Sequence, residues 1–159
     1  MSEYDSRPET EEHIDKVREF IDRAVGNLIV RAGKHDASKL IDPELQAFDI
    51  ATPKLAGLEY GSEEYKQSLR DLGPALEHHY AHNDHHPEHY ENGIRGMSLM
   101  ALIEMLCDWR AASERTKQRT DDPEKIATFE SGLEYQRTRY GISDDLFEIL
   151  QNTIKELEL

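Results

Sequence analysis

The 159-residue chain is long enough for one domain with a sizeable core and short of a second one. Its 33 Asp plus Glu against 19 Lys plus Arg leave a net charge of −14, which disfavours the broad phosphate-backbone contact that duplex nucleic acid requires. The lone cysteine, Cys107, excludes an intramolecular disulfide and any zinc site built from several thiolates, no apolar run approaches transmembrane length, and the acidic opening is unlike a signal peptide. The expectation is one cytoplasmic domain over residues 1–159, with Cys107 a buried core thiol and no membrane contact.

The pattern along the chain is helical almost throughout. Between Pro8 and Arg31, apolar residues recur at Ile14, Val17, Ile21, Ala24 and Leu28, the three-and-four spacing of one buried helix face. Ser6 or Thr10 is placed to cap its start and Gly33 to end it. Asp42-Pro43 combines a capping side chain with a residue suited to the first helical position, so a second helix is expected from Pro43 to about Ile50. A third runs from Ser62 toward His82, bent near Gly73 and Pro74. Pro87 and the Glu91-Asn92-Gly93 turn put His85, His86 and His89 in a loop or short turn. A fourth helix, from about Met97 to Thr116, carries Met97, Met100, Ala101, Glu104 and Asp108 on one stripe. Two amphipathic helices follow, Pro123 to about Arg139 and Ser143 to Leu157, separated by Gly141 with Ser143 as a cap. No strand alternation, internal repeat or low-complexity segment stands out.

Chemistry concentrates between His78 and His89, which hold six of the eight histidines. Neutral imidazole is the commonest protein ligand for zinc, iron and manganese, so metal binding is the leading reason for such crowding. His35 and Asp36 are adjacent and offer a nitrogen and an oxygen to one ion, His13 lies on the helical stretch upstream, and Asp108 sits among apolar neighbours, where a carboxylate is costly unless paired or bound to a cation. Glu104 and Asp108 point the same way, so that one can bind metal while the other orients a ligand. Each residue also has a plainer reading. His13 alone on an amphipathic helix is more often an ordinary surface or core histidine, Asp108 can pair with Arg110 or Lys34, Lys39 can be a solvated surface lysine, and Trp109, Met97 and Met100 are better read as core than as substrate contacts.

This order of ligand types, a histidine, a His-Asp pair, further histidines and a late aspartate, resembles the HD-domain metal-dependent phosphohydrolases over roughly residues 13 to 108. The run His35-Asp36-Ala37-Ser38-Lys39 looks like the branch with a lysine three positions after the aspartate, and His85-His86 looks like its paired histidines. The chain is also similar to small proteins sharing His-Asp-x-Ser-Lys, His-His-Pro-Glu-His-Tyr and Glu-Met-Leu-Cys-Asp-Trp, a resemblance that implies no activity. The HD resemblance implies an all-α, HD-domain-like helical bundle with one or two divalent metal ions (Mn, Fe, Co, Zn or Mg). One would be held by His13, His35, Asp36 and Asp108, and a second by Asp36, His79, His85 and His86, with Asp36 bridging. His79 is preferred to His78 and His82 because it lies six residues before His85, and His89 is placed outside the ligand set.

In that reading Asp36 is catalytic through the ions it holds, a metal-activated water attacks phosphorus, and Lys39 acts as an electrostatic clamp on the developing charge. The resemblance departs from the family in two places. Some nucleotidase members have an acidic residue near Lys39, and the Gly-Tyr-Pro run of the cyclic-dinucleotide branch is absent after Gly93. The expected function is hydrolysis of a nucleotide or other small phosphate ester, with oligomeric state open. The alternatives are a di-iron oxygenase on an HD-type scaffold and a non-catalytic metal-binding module, whose mark is a coordinatively saturated ion. A ferritin-like Glu-x-x-His pair, a His-Glu-x-x-His zinc-protease motif, a glycine-rich phosphate loop and a serine or cysteine nucleophile in a recognisable setting are all missing.

Overall fold

In a computed structural model, which describes residues 4–58, 62–117 and 129–159, the protein is all-helical, with six α-helices, three short 3₁₀ turns and no strand among the described residues. By contact the chain falls into two compact units, Met1–His35 and Asp36–Leu159.

The first unit is a single helix, α1 (Arg7–Lys34). It starts at Ser6, which makes no side-chain cap, and it runs through Gly33 rather than stopping there. The apolar stripe expected to be buried is not: Ile14, Val17 and Ile21 are exposed, Ala24 and Leu28 are only half-buried, and α1 buries none of its residues. The reason is that a unit made of one helix has no second element of its own to cover that face.

The second unit begins with Asp36 in the left-handed region (φ 53°), a conformation that a short polar side chain tolerates. The 3₁₀ turn Ala37–Leu40 follows, then α2 (Glu44–Leu55). Here Pro43 itself is the N-cap, while Asp42 accepts a hydrogen bond from Gln46 in the first turn, and the helix runs past Ile50 through Pro53. Helix α3 (Glu63–His82) is capped by Ser62, whose hydroxyl accepts from the Tyr65 N–H at 3.1 Å. It kinks at Gly73, whose φ of 39° and ψ of −114° no side-chain-bearing residue adopts comfortably.

Two further 3₁₀ turns, Pro87–His89 and Gly93–Gly96, lead into α4 (Leu99–Lys117). Helix α5 is described as Phe129–Tyr140, so the expected start at Pro123 lies outside the described residues. Helix α6 (Asp144–Glu156) has Ser143 as its cap and follows Gly141 at φ 59°. Met105, Leu106, Leu133, Phe147 and Leu150 from α4, α5 and α6 form the main apolar core with Ile94, and Met97 and Trp109 pack against its edge. Cys107 is exposed rather than buried, because it faces away from Leu106 and Met105 on α4. No helix among the described residues is long and apolar enough to cross a membrane.

Candidate metal centre

The site is assembled by the start of the second unit, the end of α3 and the loop that follows. Asn83 ends α3, its side-chain amide donating to the His79 carbonyl at 2.8 Å and to the Ser38 hydroxyl at 2.7 Å, so the helix terminus is tied to the 3₁₀ turn after Asp36. The buried Pro87 stops the loop two residues after His85 and turns it back. As a result Asp36, His79, His85 and His86 each bring one ligand atom into a common volume, all within 4.8 Å of one another.

The distances are short enough for one cation to be shared. His79 Nε2 lies 2.9 Å from His86 Nε2 and 3.4 Å from Asp36 Oδ1, and His85 Nε2 lies 3.5 Å from the same oxygen. Donors about 2.0–2.2 Å from one metal ion, at tetrahedral or octahedral angles, are separated by about 2.9–3.5 Å. His79 and His85 are each 1 % exposed, and Asp36 Oδ1 and His85 Nε2 are buried atoms. Three imidazole nitrogens and one carboxylate oxygen in such a setting fit a divalent transition metal.

Behind these donors stand two carboxylates. Glu44, fully buried at the first turn of α2, accepts from His79 Nδ1 at 2.9 Å, from His78 Nδ1 at 2.7 Å and from the Ser38 hydroxyl at 2.9 Å. Glu104 on α4 lies 3.2 Å from His85 Nδ1. With Nδ1–H directed at a carboxylate, each ring presents the lone pair of Nε2 inward, the arrangement by which metal-binding histidines are oriented and made more basic. Burial alone raises the Glu44 carboxyl, but the hydrogen bonds from His78, His79 and Ser38 outweigh it and hold the group below its ordinary value, as a carboxylate. The rings are also packed, Phe48 edge-on to His79 and Tyr80 edge-on to His86 with centroids 5.9 and 5.1 Å apart.

Desolvation lowers the pKa of His79, and His86 is pushed down to about 3 by burial and by the neighbouring His85 and His79. Both are thus neutral, the form that binds metal. Below the unfolded value of about 6.5 the unfolded chain takes up protons that the fold refuses, so stability rises with pH across the window from about 3 to 6.5 and is lost on acidification. The metal-free protein is therefore expected to lose stability steadily as pH falls below 6.5. Thermal melts of chelator-treated protein between pH 7.5 and 5 check this, and a midpoint independent of pH would exclude a neutral buried imidazole there.

Of the seven residues assigned as ligands from the sequence, the second unit brings together Asp36, His79, His85 and His86. Asp108 belongs to the same region, with a carboxylate oxygen within 4.8 Å of one of Asp36. His13 and His35 belong to the first unit, His13 exposed midway along α1 and His35 at its C-cap, and the four-donor group forms without them. Lys39 is an ion-pair partner of Asp36, its Nζ 2.6 Å from Oδ2, and it also lies 5.2 Å from the Phe48 ring centroid. Asp36 therefore offers one oxygen to the histidines and the other to Lys39. His78 supports Glu44, while His82 and His89 bond to the backbone carbonyls of His78 and Tyr80 on the exposed side. Glu44 and Ser38 were missed as site residues. The one available signal was that a glutamate at the head of α2 lies 35 residues from His79, which no local spacing connects.

A family model described as a family of unknown function (DUF5662) matches residues 2–156. The chain belongs to that family. No similar curated protein and no similar solved structure was found. The family description carries no activity, so the chemistry of this member of DUF5662 is argued from its own side chains.

Proposed function

We propose that the protein is a metal-dependent phosphohydrolase of the HD type, acting on a nucleotide or another small phosphate ester. The observation that carries the reading is the convergence of His79, His85 and His86 with Asp36, backed by the buried Glu44 and by Glu104. A divalent cation held there would supply Lewis acidity, activating water and neutralising phosphoryl oxygens. The protein's own part is to keep His79 and His86 neutral, to aim the three imidazoles inward and to fix Asp36 through Lys39. It also adds the negative charge of Asp108 beside Asp36, which favours a doubly charged ion. With Asp36 Oδ2 engaged by Lys39, this reading takes Oδ1 as the oxygen that Asp36 gives to the ion.

One feature favours a second reading, a non-catalytic metal-binding module: four protein donors complete a tetrahedral shell, whereas a six-coordinate ion keeps two positions for water and substrate. Elemental analysis of the purified protein, combined with phosphate-release assays on nucleoside mono-, di- and triphosphates and cyclic nucleotides with added Mn, Co, Mg or Zn, separates the cases. The hydrolase reading expects about one metal per chain and phosphate release that stops on chelation. Stoichiometric metal with no turnover of any ester would establish the module, and tightly held iron with oxygen consumption would establish a di-iron oxygenase in place of both.

A further inference from the structure

Lined in part by Tyr80, the second unit has a groove of about 380 Å³ between α3, α5 and the Pro87–His89 turn, a volume typical of small-molecule sites. Its composition runs against that of the molecule. In a chain of net charge −14, the groove is lined by three cations, Lys66, Arg70 and Arg139, and by a single carboxylate, Glu88. Glu88 is already neutralised, accepting from Arg139 at 2.7 Å and from the Tyr140 hydroxyl at 3.0 Å.

Two of the cations, Lys66 and Arg70, are held by contacts that are cheap to give up. Lys66 pairs with Glu63 at 2.7 Å on the surface, and Arg70 donates to the neutral Gln67 amide at 2.7 and 3.0 Å. Exposed pairs of this kind contribute little. Besides the charges, the groove is lined by three tyrosines, Tyr65, Tyr80 and Tyr135, and by the apolar Leu69 and Leu76. Tyrosine rings give planar faces for stacking, while guanidinium groups match phosphate oxygens with paired N–H donors.

We infer that this groove binds a small aromatic phosphomonoester, with its phosphate on Lys66 and Arg70, its ring among the three tyrosines, and Arg139 holding Glu88 out of the way of the anion. The groove contains none of the four metal donors, so the inference goes beyond the metal chemistry and does not depend on it. Tyr80 does connect the two, since its ring lines the groove and lies 5.1 Å from that of His86, which places the bound molecule one side chain from the metal centre.

The test is calorimetry on the chelator-treated full-length protein, in which no metal-dependent turnover can consume the probe. Adenosine 5′-monophosphate and O-phosphotyrosine represent the two sources of this chemistry, with adenosine, tyrosine and inorganic phosphate as their parts. At least one of the two esters is expected to bind at least tenfold more tightly than its own dephosphorylated part and than inorganic phosphate, and the one that does so names the source. Arg70→Ala and Tyr135→Ala, both at the groove's solvent edge, are expected to weaken that binding at least tenfold while leaving the metal content of the untreated protein and its thermal midpoint unchanged. The inference is overturned if neither ester binds at least tenfold more tightly than both its own dephosphorylated part and inorganic phosphate, or if either variant binds that ester like the parent protein. A protein that holds metal but fails these titrations loses the groove alone, and one that passes them without holding metal loses only the metal centre.

Discussion

Asp36→Ala is expected to reduce retained metal from about one ion per chain to less than about a tenth and to abolish phosphate release. Removing a residue that merely orients a ligand typically costs about 10–100-fold in metal affinity, and Asp36 supplies a donor oxygen itself, so the loss should exceed that range. The substitution has a second effect that must be separated from the first. Asp36 sits at φ 53°, where alanine is strained by about 1–2 kcal/mol, whereas asparagine is tolerated. Asp36→Asn keeps the backbone conformation and one neutral oxygen but loses the charge that draws both Lys39 and a cation. A metal deficit in both variants, measured by elemental analysis on protein with native circular dichroism, assigns the effect to the carboxylate. Full metal retention and full turnover in Asp36→Ala would remove the residue from the centre and the functional reading with it.

Glu44 is the position where the largest loss of stability is expected. Its carboxylate is completely buried and answers three donors, His78, His79 and Ser38. Glu44→Ala leaves those groups facing a cavity, and removing one partner of a buried polar network costs about 3–5 kcal/mol. For a chain of this size that lowers the thermal midpoint by roughly 6–20 °C. Glu44→Gln keeps the shape and one acceptor oxygen, so the fold is disturbed less, but the amide no longer makes His79 Nε2 a stronger donor. Metal affinity is therefore expected to fall about 10–100-fold, read by competition with a chelator of known affinity. Wild-type affinity in the glutamine variant would show that Glu44 serves packing alone and not the orientation of His79.

The sequence was informative where the deciding physics is local. Ser143 and Gly141 around the last helix, the kink at Gly73 and the turn at Pro87 all follow from capping, backbone freedom or the missing N–H of proline, which act within a few residues. The apolar stripe of α1 was equally legible as a pattern, yet its burial was not, because a stripe states what a face needs and not what covers it. Cys107 failed for a related reason: its neighbours Met105 and Leu106 are apolar, but on a helix adjacent residues face different ways.

From sequence alone came the all-helical class, the absence of a multi-cysteine site and the ligating type of His13, His35, Asp36, His79, His85, His86 and Asp108, since helical period and side-chain chemistry are written in the residues themselves. Tertiary structure decided which of the crowded histidines turn inward. It gave His78 to Glu44 and His82 to a backbone carbonyl, and it brought Glu44 of α2 and Glu104 of α4 behind two imidazoles. The physical reason is distance along the chain. A carboxylate 35 residues before the histidine it orients meets it only through the packing of α2 on α3, and no periodicity within either helix encodes that meeting.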